Sequence, residues 1–172
     1  MIDIKFKPEK NGLLINQENT LHVLLNISKE VEESPKEVER LPLNLSLVID
    51  RSGSMSGEPL DEAKKCASML VDRMNENDRL SVVTYESEAE VLLASQPVSH
   101  KERFKSQINS IRSGGMTALY DGWSLGAEEV AKTSKGNFIS RVLLLSDGQA
   151  NQGLTDYDVI ATHCQTMAEA GV

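Results

Sequence analysis

The chain has 172 residues, 40% of them hydrophobic and 26% charged, a balance that fits one folded domain with a core plus a small appendage and excludes disorder over its body. Its formal net charge of −8 leaves no excess of Lys and Arg for a phosphate backbone, so nucleic acid is not an expected partner. No stretch approaches the roughly 20 apolar residues that span a bilayer, and the N-terminus has no apolar core of leader length, so a cytoplasmic chain is expected.

Residues 1–42 form the first of two expected parts. The alternating stretches IDIKFKP and TLHVLLNIS predict strands separated by a turn at Asn11 and Gly12. The run KEVEESPKEVERLP, charged and carrying Pro35 and Pro42, predicts a solvated linker.

Over residues 43–172 the pattern changes to alternating strand and helix. LNLSLVID ends as a continuous apolar run, which suits a strand buried on both faces. Pro59 opens a helix on which Leu60, Ala63, Ala67, Leu70, Val71 and Met74 recur at helical spacing. RLSVVTYES and AEVLLASQPV follow too closely for a crossover helix to fit between them, so they pair antiparallel. Ser99 and Glu102 predict a capping box for a helix bearing Phe104, Ile108 and Ile111 on one side. The glycine-rich loop SGGMT leads into a helix in which Gly122 and Gly126 permit close approach to a neighbour, with Trp123 as a core anchor. SRVLLLSDG is a second apolar run ending in an acid, and Thr155 and Asp158 predict the cap of a last helix that Gly171 terminates. The expected fold is α/β: a doubly wound, mostly parallel sheet with helices on both faces and one antiparallel edge strand. Cys66 and Cys164 share no ligand-like spacing and are expected as buried thiols, while His22, His100 and His163 sit in unrelated contexts.

In such a sheet ligands collect beyond the carboxyl ends of the strands. Asp50 and Asp147 each end an apolar run there, Ser52 and Ser54 follow the first acid, and Thr117 lies in a glycine-rich loop that can reach the same crevice. Two carboxylates and three hydroxyls form an all-oxygen set suited to a hard divalent cation: Mg²⁺ first, with Mn²⁺ or Ca²⁺ as substitutes. Neutral hydroxyls leave such an ion short of negative charge, so a partner's Asp or Glu is the expected last ligand.

VIDRSGSM, followed by GGMT and LLLSDG, resembles the von Willebrand factor type A domain with its metal-ion-dependent adhesion site, built from Asp-x-Ser-x-Ser, a separate Thr and a separate Asp. Asp50, Ser52, Ser54, Thr117 and Asp147 fill those five positions in order, and the wording is closest to bacterial stand-alone members. The resemblance implies a Rossmann-like fold and a protein-interaction role. It further implies that the serines and the threonine touch the metal, that the acids often act through water, and that a ligand carboxylate completes the shell. It also implies a further strand and helices beyond residue 172, so the sheet is expected to be completed by another segment or another chain. Ser56 lies outside the pattern and is read as turn material. Two rivals remain: a Mg²⁺-dependent phosphatase or hydrolase, and a metal-free interaction scaffold. Against the first, phosphatases with an Asp nucleophile place a second acid two residues on, where this chain has Ser52; RSGSMSG is no serine-hydrolase elbow either.

Overall fold

The computed structural model describes residues 2–8, 23–29, 40–133 and 137–171. The chain divides into two compact units, Met1–Glu39 and Arg40–Val172. In the first, β1 (Ile2–Pro8) and β2 (Val23–Lys29) pair antiparallel, from Ile2 opposite Lys29 to Pro8 opposite Val23. The expected Asn11–Gly12 turn and most of the charged linker lie outside the described residues.

The second unit is a four-stranded sheet in the order β5-β4-β3-β6. β3 (Leu43–Asp50) lies at its centre, parallel to β4 (Arg79–Tyr85) on one side and to β6 (Ile139–Leu145) on the other. β5 (Ala89–Pro97) is the antiparallel edge strand, with a register irregularity between Leu80 and Val83 of its partner. α1 (Glu58–Arg73) and α2 (Lys101–Ser110) cover one face, where Leu60, Ala67 and Val71 meet Phe104, Ile108 and the inward side chains Leu45, Leu47 and Ile49. α3 (Leu119–Ala131) covers the other, over Val48, Val83 and Tyr85. α4 (Tyr157–Glu169) lies beside α3 and buries only Ile160. The central strand is therefore wrapped on both faces, as a continuous apolar run requires.

β6 departs from the expectation. Its run VLLL promised a strand buried on both faces, yet Ile139, Leu143 and Leu144 are exposed, because β6 is an edge of the described sheet. Asp147 lies two residues beyond its last residue. Two caps also differ. Ser99 makes no cap: His100 occupies the N-cap of α2 without a side-chain bond, and Glu102 instead pairs with Lys105 at 2.7 Å. For α4 the cap is Asp156, whose carboxylate accepts from the amides of Asp158 at 3.0 Å and Val159 at 3.2 Å; Thr155 lies one residue too early. Cys66 is exposed and Cys164 half-buried, both as free thiols. The buried stripe of α1 runs through Leu60, Ala63, Ala67 and Val71, and Cys66 falls beside it. Trp123 is half-buried on the outer side of α3, and Tyr85 anchors the core in its place.

Two side chains pin the ends of this unit. Asp78, fully buried before β4, accepts from the Arg40 guanidinium at 2.7 and 2.5 Å and from the amides of Leu43 and Asn75, each at 2.8 Å. Glu129, buried on α3, accepts from the Ser95 amide at 2.9 Å and pairs with Lys132, tying the helix to the edge strand.

The glycines of α3 set how closely it lies on the sheet. A Cβ on Gly122 would stand 2.4 Å from Cδ1 of Tyr85, and one on Gly126 would stand 2.4 Å from Cγ2 of Val48. Gly122→Ala is therefore expected to destabilise the fold by about 1–3 kcal/mol through overpacking, despite alanine's better helix propensity. A lowered urea midpoint at unchanged slope checks this, and an unchanged midpoint would refute it.

Candidate metal centre

Asp50 is the last residue of β3 and is fully buried. Its Oδ1 accepts from the Ser52 amide at 2.8 Å, closing a local Asx turn, while Oδ2 accepts from the Tyr85 hydroxyl at 3.0 Å and the Ser146 hydroxyl at 2.8 Å. Tyr85 is opposite Asp50 in the parallel register, which puts both side chains on the α3 face. Burial above all, and then the facing Asp50 carboxylate, push the Tyr85 phenol upward, so it remains a protonated donor. After the turn, a single 3₁₀ turn (Gly53–Met55) brings the Ser52 and Ser54 hydroxyls to 3.2 Å of each other. Ser56 is exposed, and its amide closes this turn on the Gly53 carbonyl at 3.2 Å.

The Thr117 loop is laced to this turn by backbone bonds. Gly53 donates to the Gly115 carbonyl at 3.1 Å, and Gly114 donates to the Arg51 carbonyl at 2.8 Å. Gly115 has φ +71°, a left-handed conformation that favours glycine, and a Cβ there would displace the Glu86 carboxylate from its place beside the loop. Thr117 is buried, its amide held by the Asn151 side chain at 2.8 Å, and its carbonyl accepts from the Asn151 and Gln152 amides at 3.2 and 3.3 Å. The loop after β6 thus grips the Thr117 loop, which in turn grips the Asp50 turn. Asp147 is exposed and accepts from the Gln149 amide at 3.2 Å; its neighbour Ser146 is the residue that touches Asp50.

Asp50, Ser52 and Ser54 accordingly share one turn, the Thr117 loop lies against it, and Asp147 stands at the adjoining strand end with its carboxylate bonded within its own turn. Tyr85, Ser146 and Asn151 were not singled out from the sequence. Ser146 adjoins an acid that was, and Tyr85 ends its strand in register with Asp50, whereas Asn151 had no signal beyond a polar loop.

The donor chemistry fits a hard cation. Among the described residues no Lys, Arg or His pairs with Asp50, so its buried carboxylate meets only an amide and two hydroxyls. A buried charge without a counter-charge is costly, and a divalent ion beside it removes that cost. Among the described residues no three His, Cys, Asp or Glu side chains gather, so the oxygens on offer are those of single acids and hydroxyls.

A central parallel strand that ends in a buried acid, followed by a hydroxyl turn laced to a second loop, defines a class of interaction domain. Residues 44–170 match the von Willebrand factor type A domain, and the chain belongs to that family of protein-interaction modules. It is similar to the protein sll0103 of Synechocystis sp., 41% identical over 117 residues that cover 68% of this chain and 28% of that protein. It is also similar to YfbK of Escherichia coli, 31% identical over 159 residues that cover 91% of this chain and 27% of that protein. The chain thus spans just over a quarter of the length of these relatives. Among solved structures, proximal thread matrix protein 1 from the mussel byssus, with a zinc-occupied MIDAS motif, shares the fold at TM-score 0.64 and 20% identity, covering 77% of this chain and 36% of that one. No described helix is long and apolar enough to cross a membrane.

Proposed function

We propose that the chain is a metal-dependent protein-interaction module. In this reading Asp50, Ser52, Ser54, Thr117 and Asp147 hold a divalent cation, Mg²⁺ first and Mn²⁺ or Ca²⁺ as substitutes, and a partner's Asp or Glu completes its shell. The observation that carries the reading is the fully buried Asp50 carboxylate, which among the described residues meets no cationic side chain, at the head of a turn that sets two hydroxyls 3.2 Å apart. The bound ion supplies positive charge with an open position for one more anionic oxygen. The chain's residues do the rest: Tyr85 and Ser146 orient Asp50, while Asn151 holds Thr117 at the turn. Residues 43–172 form the binding domain and residues 1–42 a stranded appendage with its linker.

No catalytic role is assigned. A phosphatase of the Asp-nucleophile kind needs a second acid where Ser52 stands, and a metal-free scaffold leaves the Asp50 charge uncompensated. Calorimetric titration with Mg²⁺ and Mn²⁺ is expected to show binding by the wild type and none by Asp50→Ala. A pull-down with and without chelator then reads the partner, which is expected to be lost when the metal is removed. A wild-type chain silent to both ions would refute the reading, and turnover of a generic phosphate ester abolished by Asp50→Ala would favour the enzyme.

A further inference from the structure

A groove of about 320 Å³ runs between α3 and α4, apart from the candidate metal centre. Tyr120, Trp123 and Glu128 form one wall and His163, Thr166 and Met167 the other. The Tyr120 and Trp123 rings stand 5.8 Å apart at 40°, and Tyr120 and His163 stand 5.5 Å apart at 52°, so three ring systems make an angled trough. The Tyr120 hydroxyl and Nδ1 of His163 share a hydrogen bond of 2.9 Å, which holds the two helices at this spacing. Glu128 is exposed at the rim, and among the described residues it has no ion-pair partner: Lys132, one turn on, pairs with Glu129 instead. Among the described residues no Lys or Arg lines the groove.

From these features we infer that the groove receives an arginine side chain of a partner polypeptide. Aromatic faces attract a cation through their quadrupoles, and an unpaired carboxylate at the edge of the trough adds opposite charge. The chain as a whole carries a net charge of −8, which draws a basic segment toward it. An apolar anchor would bury against the rings but would leave the Glu128 carboxylate at the rim without a counter-charge, since the Thr166 hydroxyl already donates to the Thr162 carbonyl at 3.0 Å. A quaternary ammonium has no N–H for that carboxylate. A guanidinium is planar enough to stack on the rings and carries donors in a fork that matches a carboxylate, which favours Arg over Lys. The inference goes beyond the metal-dependent reading and does not depend on it.

Trp123 is the single tryptophan of the chain, so its emission reports on the groove directly. The chain is titrated with acetyl-Ala-Arg-Ala-amide, with acetyl-Ala-Leu-Ala-amide and with tetramethylammonium, following Trp123 fluorescence and the NMR shift of its indole N–H. The Arg tripeptide is expected to give a saturable response, about fivefold weaker in Glu128→Gln and in Tyr120→Leu, the change that about 1 kcal/mol per lost contact produces. Circular dichroism confirms that both variants are folded, and chelator in the buffer is expected to change nothing. An equal response to the Leu tripeptide would make the groove merely apolar, and tetramethylammonium binding that ignores Glu128→Gln would make it a quaternary-ammonium site. Either outcome, or no saturable response to the Arg tripeptide by both readouts, overturns the inference.

Discussion

Mg²⁺ is expected to raise the unfolding temperature of the wild-type chain and to leave that of Asp50→Asn unchanged. A ligand that binds only the folded state stabilises it by mass action, by about 2.7 kcal/mol at a hundredfold excess over its dissociation constant. For a unit of this size that corresponds to a shift on the order of 10 °C. The Asn variant keeps the shape of the site. Its carbonyl oxygen still accepts from the Ser52 amide, and its NH₂ group meets the Tyr85 and Ser146 hydroxyls, which accept as well as donate. What it removes is the buried charge, so without metal the variant is expected to be at least as stable as the wild type. The two proteins therefore exchange rank as Mg²⁺ is added. Equal shifts in both would place the ion elsewhere.

The second large effect concerns Asp78. Asp78→Ala leaves the Leu43 and Asn75 amides without their acceptor and frees the Arg40 guanidinium, and it is expected to cost about 3 kcal/mol in urea unfolding at neutral pH. Burial by itself would push this carboxyl upward, but the Arg40 guanidinium and the two amides outweigh it and hold Asp78 below the usual carboxylate range. Because the folded value is the lower one, the stabilisation is complete above the ordinary carboxylate range and is lost as pH falls through the folded value. The gap between wild type and Asp78→Asn should therefore be widest near neutrality and close in acid. A gap that stays constant from pH 7 to pH 3 would mean that the charge of Asp78 contributes nothing.

Much of the domain was legible along the chain because its signals are local. The apolar run of β3, the helical stripe of α1, the short connection that forces β4 and β5 antiparallel and the glycine-rich loops each depend on neighbours within a few residues. The same holds for the turn at Asp50, where Ser52 and Ser54 follow the acid closely enough to share it. The errors have physical causes of both kinds, local and tertiary. The cap of α2 was misread because Ser99 and Glu102 have the right spacing without the right geometry. The cap of α4 was misread by one residue because Thr155 and Asp156 are both competent caps and only the backbone path selects between them. Cys66 was misplaced because the buried face of α1 is set by where α2 and the sheet stand, not by the apolar character of a thiol.

Residue type and spacing alone determined the fold class, the central strand, the acid at its end and the two hydroxyls after it, since all of these follow from periodicity and chain connectivity. The tertiary structure decided what surrounds that acid. Tyr85 reaches Asp50 through strand register, Ser146 through the pairing of β3 with β6, and Asn151 through a loop that crosses to Thr117 from far along the chain. It likewise opened the trough at Trp123, which the sequence placed in the core, because the spacing of α3 and α4 rests on a Tyr120–His163 contact between residues with no local relation. Contacts of that range leave no period in a sequence, for they depend on how separate elements are brought together and not on the order of residues within any one of them.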